Sequence, residues 1–392
     1  MRAALADARV GLEAVQHAVC GYVYGDSTCG QAACYRLGLP GLPILNVNNN
    51  CATGSAALDT GRRFVQAGAG CVLVCGFEKM SGGLASNFED REHPAQRHFD
   101  TMQALGLPKE QMLKGVMTEM TEKVLQAYAR AANEHMAASG VTRQHLALVA
   151  EKNHAHSQYS PYALVRKPVP ADAVLAARGL LPPLTMAMAA PMATGAAAVV
   201  LADLDFVRAH GLESQAVEIV GQSMVSDTAA TFAGPSSTAP WRDLCGYDLA
   251  ARAARDAFAQ AGLQPGDVDV VEIHDAFASG EIAAYEALGL APEGGAGKLL
   301  DSGRWIENRA GGRLFELGGR WVVNPSGGLE SKGHPLGATG VAQCVELCEQ
   351  LRGIAGKRQV DGARVGLQHN YGWASCAVVT LYRGPASRAA AL

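Results

Sequence analysis

Short apolar runs alternate with longer amphipathic or alanine-rich stretches along most of the chain. The runs at 71–75, 194–203 and 216–225 are rich in valine and alanine, are bounded by turn residues and predict strands. The stretches at 52–65 and 109–140 predict helices. Short strands that alternate with helices are typical of βαβ units, so we expect an α/β protein with mostly parallel sheets.

The pattern occurs twice. Residues 2–24 match 255–277 as a helix end, a loop and a strand, and 44–76 match 321–351 followed by 363–372 as strand, glycine-rich loop, helix and buried strand. Such self-similarity predicts two similar halves packed together. We place the halves at 1–215 and 216–392, and the first also holds a long insertion at 81–185. Insertions on a rigid core often carry ligand contacts.

The two halves differ at their beginnings. The second half starts with the strand at 216–225, about thirty residues before its helix end, whereas Met1 already lies inside the matching helix of the first half. We therefore expect the first strand of the repeated unit to be absent from the first half. We interpret it as a central strand, whose loss would leave backbone groups unpaired and would weaken folding unless a neighbouring element fills the gap.

Composition narrows the class of protein. The 392 residues are 48% hydrophobic and 18% charged with a net charge of -4, and no block of one sign indicates nucleic acid or an anionic membrane surface. Apolar runs stay short of the ~18 residues of a membrane-spanning helix, and the N-terminus lacks the apolar region of a signal peptide. Ten cysteines without a CxxC pair favour buried thiols in a reducing cytoplasm, with no bound metal.

Cys51 is the first candidate for chemistry. It ends the run VNNNC and precedes a predicted helix. Backbone N–H groups and the helix dipole at such a position stabilise a thiolate, so we expect its pKa to fall and its sulfur to be nucleophilic. Gly54 would let an acyl group approach the backbone. A buried structural cysteine is the alternative interpretation.

His334 lies in the second glycine-rich loop, which the repeat places opposite the Cys51 loop. An imidazole there could take the thiol proton, although a histidine that only caps a helix is the alternative. His274 follows an apolar strand and is assigned to an oxyanion hole, with a strand-end histidine paired to Asp275 as the alternative. His369 follows a strand in the same way. His154 has no third metal ligand at a suitable spacing, so we interpret it as ligand-lining or structural.

Seven segments together carry a family resemblance: VNNNCATGS, GFEKM, EKNHAHS, HDAF, YEALGL, NPSGGLESKGHPLGATG and LQHNYG. Their order and spacing over nearly the whole chain resemble the sterol-carrier-protein-type thiolases. The resemblance implies the five-layered α/β/α/β/α thiolase fold, usually as a homodimer, with 81–185 as a loop domain over coenzyme A.

The resemblance also implies roles for single residues. Cys51 matches the acylated nucleophile, His334 its activating base, His274 the histidine of the HDCF motif and His369 the histidine of the HN motif. Gly54, His154, Ser331 and Gly333 lie in motifs expected to contact substrate.

One position departs from the family pattern. The second cysteine of these enzymes, which moves a proton at the α-carbon, belongs to the HDCF motif, where this chain has Ala276. The alternative site holds His369, and Cys376 lies seven residues farther along. Tyr371 or His369 could substitute.

The expected function is an acyl-CoA C-acyltransferase of lipid metabolism or fatty acid β-oxidation, acting on acyl-CoA with coenzyme A as substrate and no other cofactor. Two alternatives stay open. One is retro-aldol cleavage of steroid side-chain CoA esters with a small partner protein. The other is a non-catalytic carrier of acyl-CoA or sterol, active in lipid transport. A ketosynthase-type condensing enzyme is disfavoured by GHPLGATG.

Overall fold

Two sheets organise the described part of the chain, which in this computed structural model comprises residues 1–80, 92–107 and 119–385. The first sheet has the order β2-β1-β3-β4. Its strands are β1 (His17–Gly21), β2 (Ile44–Val47), β3 (Cys71–Glu78) and β4 (Gly195–Ala202). β1 is parallel to β2 and β3, and β4 runs antiparallel to β3.

The second sheet has the order β5-β11-β10-β6-β9-β8-β7. Its strands are β5 (Glu218–Ser226), β6 (Val270–Glu272), β7 (Arg304–Glu307), β8 (Arg313–Leu317), β9 (Trp321–Val323), β10 (Val365–Gly372) and β11 (Cys376–Arg383). β6 is parallel to β9 and β10, while β11 is antiparallel to both β10 and β5. The two sheets thus repeat one mixed topology, and β7 and β8 extend the second.

Helices fill the layers around and between the sheets. They are α1 (Arg2–Ala8), α2 (Cys29–Cys34), α3 (Thr53–Gln66), α4 (Gln96–Ala104), α5 (Glu119–Ala138), α6 (Arg143–Ser157), α7 (Ala171–Ala176), α8 (Leu204–Ala209), α9 (Pro240–Leu244), α10 (Tyr247–Ala261), α11 (Ala278–Ala287), α12 (Ala296–Asp301), α13 (Gly328–Lys332) and α14 (Leu336–Arg352). One apolar cluster joins α3 and α14 to both sheets, while α1 and α10 pack on the outer faces. The predicted α/β/α/β/α layering is therefore confirmed.

The duplicated topology places the first strand of the repeated unit at a sheet edge, whereas we expected a central position. β1, β2, α3, β3 and β4 correspond in order to β6, β9, α14, β10 and β11, and the strand β5 pairs with β11 at the outer edge of the second sheet. Among the described residues, β4 has no such partner in the first half, so the first strand of the repeated unit is an edge strand and not a central one. β4 is mostly half-buried where β11 is buried, and a cavity of about 1370 Å³ lies along β4.

The insertion supplies helices α4 to α7. Parts of it, 81–91 and 108–118, lie outside the described residues. The last turns of α6 are buried, and the His156 Nδ1 atom lies 2.9 Å from the carbonyl oxygen of Asn324, just after β9. α6 is therefore anchored in the core of the second half. Among the described residues, no helix is both long and apolar enough to cross a membrane.

The first turns of α3 and α14 touch through their backbones. A Cβ atom on Gly54 would lie 2.8 Å from the amide nitrogens of Gly340 and Val341, and one on Gly340 would lie 2.2 Å from Ser55 Oγ. Only residues without a side chain allow this approach. Since Cys51 and His334 immediately precede these two helices, the crossing sets the distance between them.

We expect Gly54→Ala to destabilise the protein. Alanine is the better helix former by about 1 kcal/mol, but the clash with the α14 backbone should cost about 3 kcal/mol, which leaves a net loss on the order of 2 kcal/mol. The midpoint of urea unfolding measures the change. Gly266→Ala is the control, since nothing lies within 4 Å of its added Cβ. An unchanged or higher midpoint for Gly54→Ala would contradict the proposed contact.

Candidate active site

Three side chains converge where the two halves meet. Cys51 lies two residues before α3, His334 two residues before α14, and His274 two residues after β6. One donor atom of each lies within 4.8 Å of the others, and the ring centroids of the two histidines are 5.0 Å apart at an interplanar angle of 80°. Both histidines are buried. The loops before α3 and α14 and after β6 therefore bring a sulfur and two imidazoles into one crevice.

His334 is poised to accept a proton. Its Nδ1 atom lies 2.7 Å from Thr339 Oγ1, and that hydroxyl donates to the carbonyl oxygen of Pro335. The hydroxyl oxygen therefore accepts from Nδ1–H, which leaves the lone pair on Nε2. Burial lowers the pKa of His334 to about 3, so the ring is neutral near pH 7.

His274 is also neutral. Its pKa lies well below the usual value, first because the ring is buried and then because His334 and His369 are close. The Asn370 side-chain nitrogen lies 3.1 Å from His274 Nδ1 and 3.1 Å from the carbonyl oxygen of Cys51. Asn370 thus links the second imidazole to the backbone of the candidate nucleophile.

The expected low pKa of Cys51 is wrong. Burial raises the pKa of its thiol to about 12, and the nearby Glu78 also raises it, against weaker hydrogen bonds from the backbone at Cys51 and Trp373. The dipole of α3 does not compensate for the loss of water around the sulfur. The resting site therefore holds a neutral thiol beside a neutral base.

His369 and Tyr371 lie on β10 on either side of Asn370, and side chains alternate between the faces of a strand. Both are buried outside the group of three donors, and neither ring nitrogen of His369 has a hydrogen-bond partner among the described residues. The Tyr371 ring lies 6.3 Å from the His274 ring, but its hydroxyl donates to the carbonyl oxygen of Leu244 at 3.3 Å. Their roles in proton transfer stay predictions.

The expected acyl approach at Gly54 is also wrong, because the backbone of α14 occupies that space. His154 and Ser331 are hydrogen-bonded to each other, with His154 Nδ1 2.9 Å from Ser331 Oγ. His154 Nε2 lies 3.0 Å from the carbonyl oxygen of Ala187. Gly333 has a φ of 89°, and Ala193 lies close to it. His154, Ser331 and Gly333 thus brace the His334 loop, and their contact with substrate stays a prediction.

Sequence reasoning missed Asn370 and Ser55, and it named Asp275 only as an alternative partner of His274. Ser55 Oγ lies 2.9 Å from Asn370 Oδ1. Asp275 accepts hydrogen bonds from the amides of Leu329 and Glu330, and so holds the loop that leads to His334. The position of Asn370 beside His369 in the segment QHN could have indicated it. Which of the two side chains reaches Cys51 depends on the face of the strand that meets the crevice, and the sequence does not specify that face.

Sulfur and imidazole nitrogen are donors that Zn²⁺ also binds, so Cys51, His274 and His334 are the residues that could hold such an ion. The expectation that the protein works without a metal stays a prediction.

The chain belongs to the thiolase family and has its fold. The model of the thiolase N-terminal domain matches residues 1–171, and that of the thiolase C-terminal domain-like family matches 234–383. Similar solved structures include human mitochondrial 3-ketoacyl-CoA thiolase, with a TM-score of 0.68, 18% identity and coverage of 98% of this chain and 91% of that one. The Ltp2-ChsH2(DUF35) aldolase has a TM-score of 0.76, also at 18% identity with 98% and 91% coverage. These two likenesses show the fold.

Curated relatives are more similar in sequence. Sterol carrier protein 2 of Oryctolagus cuniculus is 47% identical over 384 residues, which are 97% of this chain and 66% of the relative. The chain thus spans slightly less than two thirds of that protein's length. Non-specific lipid-transfer protein-like 2 of Caenorhabditis elegans is 40% identical, with 97% and 88% coverage. Acetyl-CoA acetyltransferase of Methanothermobacter thermautotrophicus is 34% identical, with 86% and 78% coverage.

We expect the rate of Cys51 alkylation by iodoacetamide to rise about tenfold per pH unit between pH 7 and 10. Only the thiolate reacts, and a pKa of about 12 keeps its fraction proportional to hydroxide in that range. Mass spectrometry of the Cys51 peptide gives the rate, with Cys29, which is partly exposed like Cys51 but lies outside the crevice, as an internal reference. A rate that levels off near pH 7 would instead indicate a thiolate–imidazolium pair.

Proposed function

We propose that the protein is an acyl-CoA C-acyltransferase that cleaves 3-oxoacyl-CoA by thiolysis through an acyl-enzyme on Cys51. The observation that carries this proposal is the convergence of Cys51, His274 and His334 within 4.8 Å, with a free lone pair on His334 Nε2. A nucleophile, a base and a further imidazole in one buried crevice are the parts that acyl transfer requires.

The first half-reaction starts from neutral partners. His334 Nε2 takes the thiol proton as Cys51 Sγ bonds to the 3-keto carbon. The bond between C2 and C3 then breaks and leaves an acyl-enzyme and the enolate of acetyl-CoA, which takes up a proton at C2. Since neither the thiol nor the imidazole is charged at rest, proton transfer accompanies attack.

In the second half-reaction, the thiol of a new coenzyme A gives its proton to a base and its sulfur attacks the acyl carbon. Cys51 leaves and regains a proton. His274 donates a hydrogen bond to the thioester oxygen where negative charge develops, a contribution that is typically worth about 3 kcal/mol per donor.

The test of this reaction is a covalent one. After incubation with acetoacetyl-CoA, mass spectrometry should find an acetyl group on the Cys51 peptide, because thiolysis passes through that thioester. Cys51→Ala should abolish both the adduct and the coenzyme-A-dependent loss of acetoacetyl-CoA, and Cys29→Ala, at a cysteine outside the crevice, should retain both. Full turnover by Cys51→Ala would contradict the proposal.

Ala276 bears on the proton that the enolate needs. This alanine follows His274 by two residues and donates no proton, and Cys376 lies buried in β11 beside Ala52. Proton transfer at C2 then falls to a histidine or to Tyr371, and loss of a positioned acid typically costs 100-fold or more in rate, on the order of 3 kcal/mol.

Ala276→Cys should therefore raise the turnover number for acetoacetyl-CoA cleavage, by about 10- to 100-fold, since it adds a thiol beside the crevice. Steady-state kinetics measure the change. Ala196→Cys, on the exposed position of β4, controls for an added thiol and should leave the turnover number unchanged. If both variants match the unmodified protein, an existing group already supplies the proton.

Two further functions remain candidates for specific reasons. The fold of an aldolase complex and the buried Tyr371 near His274 favour retro-aldol cleavage with a DUF35-type partner, which would release an aldehyde in place of acetyl-CoA. The relatives named sterol carrier protein 2 favour a carrier that binds CoA esters without turnover. Product analysis separates thiolysis, retro-aldol cleavage and binding without turnover.

We also propose a homodimer, because β2 is an edge strand with the exposed Leu45 and a solved thiolase of Saccharomyces cerevisiae is described as dimeric.

A further inference from the structure

We propose that Asn370 is a positioning residue that holds His274 as the tautomer with its proton on Nε2. This inference rests on the proposed function, in which His274 must donate a hydrogen bond to the substrate oxygen. It goes further by naming the groups that decide which nitrogen carries the proton. A neutral imidazole has one N–H, so the choice of nitrogen decides between a donor and a base.

The first step is the orientation of the Asn370 amide. Its side chain lies 3.1 Å from the carbonyl oxygen of Cys51, and a carbonyl oxygen can only accept. The atom that faces it is therefore the NH₂ nitrogen. The same nitrogen lies 3.1 Å from His274 Nδ1. Because the amide nitrogen offers only hydrogens, Nδ1 must accept, and the single ring proton lies on Nε2.

A second backbone carbonyl fixes the orientation of Gln368, which is linked to Asn370 through Ser55. The Gln368 side-chain nitrogen lies 2.7 Å from the carbonyl oxygen of Gly340 and 2.8 Å from Ser55 Oγ, while the Tyr382 hydroxyl donates to the Gln368 side-chain oxygen. Ser55 Oγ thus accepts from Gln368 and donates its own hydrogen to Asn370 Oδ1 at 2.9 Å. Reversal of the Asn370 amide would oppose two acceptors at Cys51 and would take away the acceptor of the Ser55 hydroxyl hydrogen.

Burial makes this arrangement stable. Ser55, Gln368 and Asn370 are each 0% exposed, so solvent is not at hand to satisfy a reversed amide. An unpaired buried polar group is costly in such surroundings. The Gln368–Ser55–Asn370 chain also joins β10 to the first turn of α3, so the same contacts that hold Cys51 orient His274.

The two histidines consequently hold opposite tautomers. Thr339 accepts from His334 Nδ1 and leaves a lone pair on Nε2, whereas Asn370 donates to His274 Nδ1 and leaves a proton on Nε2. One ring is a base and the other a donor, although burial depresses the pKa of both. Neighbouring groups, and not ring pKa values, assign the two roles.

The direct test is ¹⁵N NMR of the histidine-labelled protein without substrate, with His274→Gln to assign the His274 resonances. We expect a His274 spectrum with a protonated Nε2 and an unprotonated Nδ1 at pH 7. This measurement needs no variant of Asn370 and no activity. A protonated Nδ1 in the unmodified protein would overturn the proposal.

Asn370→Asp reverses the arrangement at nearly constant shape. A carboxylate can only accept, so Nδ1 should become protonated. At low pH the ring is then an imidazolium that keeps Nε2–H, but at high pH its remaining proton stays on Nδ1. The groups nearest the ring are Cys51, His334, His369 and Tyr371, and the last three are neutral near pH 7.

We therefore expect the turnover number of Asn370→Asp to fall about tenfold per pH unit above the His274 pKa of that variant, with KM within about threefold. The turnover number of the unmodified protein should not begin to fall at that pH. Asn308→Asp, at another buried asparagine that donates to backbone carbonyls, should keep both the spectrum and the pH profile of the unmodified protein. A flat profile for Asn370→Asp with Nδ1 protonated would overturn the assigned role. Absence of thiolysis by the unmodified protein, with the expected tautomer present, would contradict the proposed function and leave the tautomer assignment standing.

Discussion

The backbone contact between α3 and α14 is the constraint on which the rest of the structure depends. Gly54 and Gly340 let two helices from different halves meet at their first turns, with no side chain between them. Each helix follows a loop that ends a repeated strand, so the contact fixes both loops at once. The packing of the two main chains thereby sets the distance between Cys51 and His334. This distance can vary little, because protein interiors are closely packed.

Around this contact, polar groups are buried only where partners satisfy them. Gln368, Ser55 and Asn370 form a chain that starts and ends on backbone carbonyls, and Asp275 accepts two amides of the opposite loop. Such networks are stabilising when complete and costly when broken. The crevice therefore has one arrangement of donors and acceptors, which a site that performs proton transfer requires.

Much of this architecture could be predicted from the sequence because periodicity and self-similarity report directly on strands, helices and duplicated halves. The approach of Cys51 to His334 followed from the same repeat, and that of His274 from its position after a strand. Burial did not follow, since it depends on every layer packed around a residue, and the pKa of Cys51 was therefore placed on the wrong side of its usual value. The neighbour of Gly54 and the edge position of the absent strand also depend on how distant segments pack. Asn370 was missed because the choice between adjacent residues of β10 depends on which face of the sheet meets the crevice.

The high pKa of the Cys51 thiol has a consequence outside the reaction itself. Peroxide and similar oxidants attack thiolates much faster than thiols. In the proposed reaction the sulfur loses its proton only when a thioester is in place, so it would present almost no thiolate to such oxidants between turnovers. The desolvation that makes Cys51 a reluctant acid thus also protects it from irreversible sulfinic and sulfonic damage.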